Sequence, residues 1–454
     1  MSAISTKTTT TATARTTIMT TNKETALTRP SETALSLRDR LLLVGKEEWA
    51  PLAWSFMYFF FLLCGYYILR PVRDDMGIAA GVHNMSKLFT AVFVVMLLLT
   101  PVFGWLLAKF PRRQLLPAVY LFFASHLFLF WLLFSTGQHV QSATVAFFVW
   151  VSVFNLFAVS VFWSFMADLW ATEEARRLYG FIAAGGTAGA IAGPLVTAVL
   201  VSSIGTRNLL LLSMACLLVC VVCIFRLNLW AMGRSQVAPP QLEIGPRPGI
   251  FEGIRLLSSS PYLLAICGFV VLYSTTSTFL YLQQAEVVAN TLPTSAERTA
   301  LFAKIDLAVN LLTLGIQLFL LQPLLSRLGL VVALLFLPVV SAVGFLALGF
   351  HPTLATLLVV VIARRASEFA IAKPSRETLF NVLGPTEKYQ AKNFMDTVVY
   401  RGGDMTSSWL QNALKSAGVG LVGIAFLAAP LCAVWAGLGV YLGSLHRRIK
   451  DVAT

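Results

Sequence analysis

The amino-acid sequence predicts an all-α membrane protein with about twelve transmembrane helices in two pseudo-symmetric halves of six. Apolar residues make up 57% of the 454 residues and charged residues only 12%, whereas a soluble domain carries roughly twice that charged fraction. The apolar residues form runs long enough to cross a bilayer as helices. A polar stretch rich in proline and glycine, residues 231–260, separates the runs into two groups of six.

The predicted spans follow the apolar runs in order. Those of the first group are Trp49–Leu69, Leu88–Ala108, Leu115–Phe134, Ala143–Ala167, Leu178–Val201 and Asn208–Phe225. Those of the second group are Pro261–Ala285, Leu307–Leu325, Leu328–Phe350, Leu354–Ala372, Asn393–Leu414 and Val419–Leu442. The tenth and eleventh spans contain charged residues, which are costly inside a bilayer and therefore indicate function.

The remaining segments give the predicted domain organisation. Residues 1–46 are rich in Thr, Ser and Ala without an apolar face, so we expect a disordered cytoplasmic tail; a targeting segment is the alternative. We expect an N-terminal six-helix half at 47–230, a cytoplasmic linker at 231–260 and a C-terminal six-helix half at 261–446. Residues 447–454 form a second cytoplasmic tail.

Basic residues predict the orientation. Most of the 34 Lys and Arg residues lie in the tails, the linker and one set of loops. This bias places both termini in the cytoplasm. The opposite side carries only Arg70, Arg73, Lys87, Arg207, Arg298 and Lys415. We expect an integral protein of a bacterial inner membrane and a monomer in the lipid bilayer.

Several function classes are excluded by the sequence. The net charge of +13 sits mainly in short loops and the tail rather than on a solvated basic face, so no nucleic-acid binding is expected. The sequence contains no GK[ST] phosphate loop, no HExxH and no GxSxG, which argues against an enzyme and gives no indication of a cofactor. Cys216, Cys220 and Cys223 cluster without a histidine, so we predict buried apolar side chains rather than a metal site.

The first candidate site is the charged end of the first span, CGYYILRPVRDDMG. Intramembrane charges normally face a partner or a water-filled cavity. The guanidinium fork of Arg70 or Arg73 suits phosphate and carboxylate because it binds two oxygens at once. The alternative is snorkelling of these arginines to the membrane interface, with pairing to Asp74 or Asp75.

The second candidate site lies in the tenth and eleventh spans. Lys373 and Glu377 are four residues apart, so an ion pair is expected, and Pro374 should kink the helix. The predicted substrate-binding residues of both sites are Arg70, Arg73, Arg365, Lys373 and Arg401. The predicted gating or proton-coupling residues are Asp74, Glu368, Asp396 and Asp404. Purely structural ion pairs are the alternative for the second site.

Glycines in the fifth span predict close helix packing. Gly185, Gly189 and Gly193, followed by Pro194, share one helix face, where small residues let two backbones approach. This pattern resembles the exchanger motif of major-facilitator drug antiporters. The loop GWLLAKFPRRQLL resembles a second motif of that group, although a loop of basic residues on the cytoplasmic side explains it equally well. Six spans, a linker and six spans is also the major-facilitator arrangement.

Longer segments resemble a more specific family. YYILRPVRDDMG, FWSFMADLWATEEARRLYGFIAAGGTAGAIAGP and KYQAKNFMDTVVYRGGD are similar to the ATP:ADP antiporters, nucleotide-exchange carriers with many related bacterial proteins. The resemblance implies nucleotide exchange and matches the family's first-span basic residue with Arg73. This is one of the family's four charged positions. The other three do not carry over: Asn155 stands in the fourth span, the seventh-span acid has no aligned counterpart, and Asp404 replaces the basic residue of the eleventh span.

Two transport hypotheses remain open at this point. The first is exchange of nucleotides or other phosphorylated anions by alternating access, with Tyr66, Tyr67, Phe162 and Trp163 as candidates to stack a base. The second is proton-coupled transport of a non-nucleotide solute through Asp396, Asp404 or Glu368. A non-transporting membrane scaffold is a third possibility that the intramembrane charges disfavour.

Overall fold

The helices follow one another in the order that the hydropathy pattern predicts. The computed structural model describes residues 47–137, 139–233 and 260–453, together with Gly45 and Arg255. The predicted N-terminal tail and central linker therefore lie almost entirely outside the described residues. Gly45–Thr454 form one compact unit, so the helices before and after the linker pack together.

Within the part of the chain that the structure describes, the first group contains six helices joined by short turns. They are α1 (Trp49–Ala79), α2 (Met85–Lys109), α3 (Arg112–Thr136), α4 (Val140–Leu169), α5 (Thr172–Ile204) and α6 (Leu209–Gly233). At Gly81 and Gly205 the backbone has φ values of 99° and 78°. Glycine fits both turns because positive φ costs it little.

Over residues 260–453 the second group also contains six helical stretches, three of which are interrupted by a π-helical turn. They are α7 (Pro261–Thr291), α8 (Ser295–Phe319), α9 (Leu321–Pro323, Leu324–Leu328 and Gly329–Phe350), α10 (Leu354–Ser367, Glu368–Ala372 and Lys373–Leu379), α11 (Pro385–Phe394, Met395–Val399 and Tyr400–Ser416) and α12 (Leu421–Ala453). The middle segment of each interrupted stretch is the π-helical turn, a feature that is frequent at functional sites.

Two predicted helix boundaries are wrong in ways that affect the site. Helix α1 continues to Ala79 rather than ending near Leu69, so its charges lie within the helix and not beyond its end. Helix α8 begins at Ser295 rather than near Leu307. Its start is fixed by a capping box, in which the Thr294 hydroxyl accepts from the Glu297 backbone N–H and the Glu297 carboxylate accepts from the Thr294 backbone.

The helices match a bilayer in length and surface. Among the described residues, ten helices are long and apolar enough to cross a membrane. The remaining two, α10 and α11, carry more charged residues. Large apolar side chains point outwards, with Phe319 79%, Phe350 69% and Val359 67% exposed. In water such a surface would be unfavourable, whereas lipid chains cover it.

The helix α5 lies directly against α1. A Cβ atom added to Gly185, Gly189 or Gly193 would lie 2.5, 2.2 and 2.6 Å from the carbonyl oxygens of Phe56, Phe60 and Cys64, respectively. Only glycine fits such contacts without moving the backbone of α1. Pro194 follows these glycines directly and is buried. It does not end the helix, because α5 continues to Ile204.

Among the described residues, helices of the two groups meet mainly along three seams: α5 against α8, α1 against α8 and α2 against α11. We name the end of the molecule with the α1–α2, α5–α6 and α7–α8 turns the distal end. The opposite end, where α1 begins, is the proximal end. These names serve to locate the charged residues below.

Candidate functional site

Charged side chains from helices of both groups converge in the middle of the bundle. Helix α1 contributes Arg70, Arg73 and Asp74, and helix α8 contributes Asp306. Helices α10 and α11 contribute Arg364, Arg365, Glu368, Arg401 and Asp404. Asp74, Asp306, Arg364 and Asp404 are buried, and the other side chains are partly exposed. The structure thus brings most of the predicted site residues to one level of the bundle.

Asp306 links the two groups of helices and was not predicted as a site residue. Its Oδ1 atom accepts from Arg365 Nη2 at 2.6 Å and lies 3.7 Å from Arg70 Nη1. The side chain is 2% exposed, and its second oxygen, Oδ2, has no hydrogen-bond partner among the described residues. One carboxylate therefore serves two arginines, which leaves an excess of positive charge around it.

Arg73 differs from the other central arginines because it forms no ion pair with the described residues. Its guanidinium carbon lies 4.4 Å from the centre of the Phe148 ring, and its Nε atom is buried without a hydrogen-bond partner. The neighbouring Asp74 is buried and accepts a hydrogen bond from the Tyr281 hydroxyl at 3.0 Å. A buried donor left without a partner is unfavourable unless a ligand supplies one.

Arg364 and Glu368 form a self-contained group on α10 and α7. Arg364 is 1% exposed, and its Nη1 atom lies 3.8 Å from Glu368 Oε2. Its Nη2 atom donates to the Tyr273 carbonyl and to Thr276, both at 3.3 Å. The Tyr273 hydroxyl donates to Glu368. These contacts hold the π-helical turn of α10 against α7.

Arg401 and Asp404 form the corresponding pair on α11. They are one helical turn apart, with Nη1 and Oδ2 at 3.6 Å. Asp404 also accepts from Ser274 at 2.7 Å and from Thr278 at 3.0 Å. The two hydrogen bonds to Asp404 Oδ1 join α11 to α7, while Arg401 keeps part of its surface exposed.

Lys373 and Asp396 lie nearer the proximal end and are exposed. The expected ion pair between Lys373 and Glu377 is not formed, because Glu377 instead accepts from Lys392 at 2.6 Å. Asp396 lies 3.6 Å from Arg376. The π-helical turn of α10 ends immediately before Lys373 and Pro374, which agrees with the expected effect of proline on the preceding turn.

The aromatic candidates separate into core and cavity residues. Phe162 is fully buried and its ring stacks on Phe59 at a centroid distance of 4.2 Å, so it belongs to the core and offers no free face. Tyr67 is half-buried and lines a cavity of about 270 Å³ between α1, α5, α8 and α10. We call this space the side cavity.

Comparison with known proteins identifies the family. The family model described as Major Facilitator Superfamily matches residues 49–372. The chain belongs to the Major Facilitator Superfamily. It is a secondary transporter of this type and an integral membrane protein. No curated protein matches the sequence.

Solved structures of other transporters share the major-facilitator fold. The nucleoside transporter NupG, crystallised as a point mutant, has a TM-score of 0.61 at 13% identity, covering 88% of this chain and 99% of that one. An auto-inhibited POT family peptide transporter has a TM-score of 0.62 at 14% identity, covering 88% and 97%. A POT family transporter in complex with 5-aminolevulinic acid has a TM-score of 0.60 at 11% identity, covering 88% and 96%. At these identities the likeness concerns the fold alone.

Major facilitators work by rocking two halves around a central site, and in this structure the halves are joined at the distal end. Asp75 on α1 accepts from Arg298 Nε on α8 at 2.6 Å and also from Ser295. Ser86 on α2 donates to the Ser408 carbonyl on α11 at 2.9 Å. We call the contacts of Asp75 the distal lock. The sequence predicts Arg298 only as one of the few basic residues on the side of the membrane opposite the termini.

Proposed function

We propose that the protein exchanges phosphorylated organic anions across a bacterial inner membrane by alternating access, with nucleotides such as ATP and ADP as the first candidates. The observation that carries this proposal is Arg73, an arginine inside the bundle with a buried Nε and no ion-pair partner among the described residues. A guanidinium in this position favours a ligand with two adjacent anionic oxygens.

The charges around Arg73 support an anionic substrate. Asp306 faces both Arg70 and Arg365, so even when Asp74 is counted against Arg73 the central arginines outnumber the acids that contact them. Field lines from such a group concentrate in a narrow space with low-dielectric walls and attract anions. Phosphate, with its several oxygens, can replace the missing hydrogen-bond acceptors of more than one arginine.

The contact between Arg70 and Asp306 suggests why transport would be an exchange. Arg70 belongs to the first group of helices and Asp306 to the second. In the empty site this contact bridges the halves and opposes their rocking. A bound phosphate competes with Asp306 for both arginines and releases the bridge, so movement requires a bound anion.

The proposed orientation follows from the predicted topology. With both termini in the cytoplasm, the distal end faces outwards and the distal lock closes the path to the outside. The central arginines would then receive an anion from the cytoplasm. The resemblance of YYILRPVRDDMG to the ATP:ADP antiporters supports nucleotides as candidates, although the family's fourth-span acid is absent. We propose that the functional unit is a monomer.

Proton-coupled transport of another solute is the second candidate. Asp404 favours it, because this carboxylate is only 6% exposed and lies against Ser274 and Thr278 on a neighbouring helix. Protonation would weaken its contact with Arg401 and loosen α11 from α7. Asp396 is a weaker candidate for the proton site because it is exposed.

Liposomes containing the purified protein distinguish the two functions. One set is loaded with unlabelled ADP and another is empty but carries an inward proton gradient. We expect labelled ATP to enter the loaded set only, because exchange needs a counter-substrate. Entry of ATP driven by the proton gradient into empty liposomes would show proton coupling instead of exchange, and no entry in either set would contradict nucleotide exchange.

A further inference from the structure

A second cavity lies at the distal end of the bundle, apart from the side cavity. It has a volume of about 290 Å³ and lies between the turn before α2 (Val82–Asn84) and the last turns of α7 and α11. We call it the distal cavity. None of the arginines in the described part of the chain lines it, so it is separate from the arginine site. Its lining comes from both groups of helices.

Gln411 lines the distal cavity with an amide group that lacks partners. The side chain is 1% exposed, and neither Nε2 nor Oε1 has a hydrogen-bond partner among the described residues. A buried donor and a buried acceptor left unpaired are unfavourable for the folded protein. Rotation about the side-chain bonds of Gln411 turns the amide towards the cavity. A ligand that offers one acceptor and one donor there satisfies both atoms.

An ion pair lies in the wall of the same cavity, between Glu286 on α7 and Lys415 on α11. Lys415 follows Gln411 by one helical turn, so the ammonium and the amide lie on the same side of α11. The side chains of Glu286 and Lys415 are 30% and 29% exposed. The wall therefore offers two donors to a carboxylate, Lys415 Nζ and Gln411 Nε2. It also offers two acceptors to an ammonium, the Glu286 carboxylate and Gln411 Oε1.

Apolar side chains adjoin these polar groups in the distal cavity. Leu282 and Ala289 lie one helical turn before and after Glu286 on α7, and Met85 faces the cavity from α2. The cavity volume is close to the lower end of the roughly 300–1,000 Å³ found for small-molecule sites. The cavity therefore suits a small ligand with one apolar group.

We propose that the distal cavity binds a zwitterionic α-amino acid with a small apolar side chain, and that the bound molecule holds the distal end closed. Its carboxylate contacts Lys415 and Gln411 Nε2, and its ammonium contacts Glu286 and Gln411 Oε1. A ligand with both charges on neighbouring atoms satisfies the amide and the ion pair at once. This site is regulatory and goes beyond the proposed exchange of anions at the arginines.

The effect on the distal end follows from where the lining residues belong. His83 and Ser86 come from the first group of helices, whereas Glu286, Gln411 and Lys415 come from the second. A bound amino acid therefore adds a contact between the halves to that of the distal lock. A ligand that binds the closed state shifts the population towards it. With the predicted topology, the amino acid would come from the outside.

The test of the ligand class uses labelled L-valine and its two fragments. Binding to the purified full-length protein in detergent is measured by equilibrium dialysis, with unlabelled competitors. Isovalerate lacks the ammonium, and isobutylamine lacks the carboxylate. We expect each fragment to compete at least about tenfold more weakly than unlabelled L-valine, because each loses one set of charge-assisted hydrogen bonds. Inorganic pyrophosphate should not displace L-valine, because it binds the arginines.

Two variants connect the binding to the distal cavity. Gln411→Leu removes an amide that has no partner, so Tm should not fall, and Lys415→Met removes one charge. Both should bind L-valine about fivefold or more weakly. Gln283→Leu is the matched control. It changes another buried glutamine with an unpartnered oxygen, which does not line the cavity, and it should bind L-valine like the parent protein.

The link to closure is tested with Asp75→Asn, which breaks the distal lock without touching the lining of the cavity. If L-valine binds the closed state, this variant should bind it more weakly, because binding and closure are linked. Unchanged binding in Asp75→Asn would overturn the role in closure.

The other outcomes bear on the site itself, and none of them depends on which anion is exchanged. No binding of L-valine to the folded parent protein would overturn the proposal. Equal competition by isovalerate would show a simple anion site and overturn it as well. Displacement by pyrophosphate, or unchanged binding in both Gln411→Leu and Lys415→Met, would place L-valine outside the distal cavity and overturn the proposal, while the anion exchanger would remain.

Discussion

Charged residues in the centre of the bundle contact one another, and Asp306 contacts two arginines. Its one bonded oxygen serves Arg365 and Arg70, while the other oxygen has no partner among the described residues. Breaking a buried ion pair by removing one partner costs about 3–5 kcal/mol, because the remaining charge is uncompensated. The arginines therefore depend on Asp306 whenever the substrate is absent.

Replacement of Asp306 by asparagine should separate binding from transport. In Asp306→Asn, Arg70 and Arg365 lose their acid, so pyrophosphate should bind about tenfold more tightly and the Tm of the empty protein should fall. Labelled ATP should also enter liposomes that hold no internal ADP, because no bridge then opposes movement of the halves without a bound anion. Glu377→Gln is the control, since it changes a partly exposed ion pair away from Asp306. Weaker binding with an unchanged Tm would contradict this role.

The sequence allowed prediction of the charged residues but not of their partners. Arg70, Arg73, Arg365 and Arg401 stand out because charge is rare in apolar runs. Asp306 escaped notice because the apolar run of the eighth span begins one residue later, while the helix itself starts at its capping box. Likewise, the four-residue spacing within α10 predicted an ion pair between Lys373 and Glu377. In the structure Glu377 pairs with Lys392 of α11 instead.

At the scale of helices, the contact between α5 and α1 determines the position of the central arginines. The glycine face of α5 lies on the backbone of α1 between Phe56 and Cys64, directly before Arg70 and Arg73. The sequence predicted this kind of packing from the four-residue spacing of glycines. It did not reveal the partner helix. The π-helical turn at Met395–Val399 also lacks a sequence signal, because no proline follows it.

Substitution of Gly189 should therefore disturb both packing and transport. In Gly189→Ala the new methyl group would lie 2.2 Å from the Phe60 carbonyl oxygen, which forces α5 away from α1 and costs about 1–3 kcal/mol. Thermal unfolding in detergent should show a lower Tm, and exchange should decrease. Gly180→Ala on the same helix meets nothing within 4 Å, so its Tm should stay equal or rise slightly. Equal Tm values for both variants would contradict the packing argument.

At the scale of the whole molecule, the architecture was predicted from two groups of six apolar spans separated by a linker. The family match and the twelve helical stretches of the described residues confirm the major-facilitator fold. The sequence did not predict that the halves are joined at the distal end, because a hydropathy pattern contains no information on contacts between the halves. The distal lock joins α1 to the start of α8 through Asp75 and Arg298. Since both side chains are largely buried, loss of one should weaken closure at this end.

The distal lock can be tested by distance measurement. Spin labels at Ser203→Cys on α5 and Thr291→Cys on α7 report the separation of the halves at the distal end. In Asp75→Asn we expect the distance distribution to shift to longer values, because Arg298 loses its ion pair. Glu286→Gln removes a contact with Lys415 within the second group of helices and should not shift it. An identical distribution in Asp75→Asn and the parent protein would exclude the lock.

The most direct measurement of the central claim is exchange of labelled ATP for internal ADP by variants of Arg73. We predict at least a tenfold loss in Arg73→Ala and a smaller loss in Arg73→Lys, which keeps the charge but not the two-pronged donor. Arg176→Ala, at an exposed site on α5, should exchange like the parent protein. Normal exchange by correctly inserted Arg73→Ala would contradict the account. Arg73, which has no ion-pair partner among the described residues, would then not bind the anion.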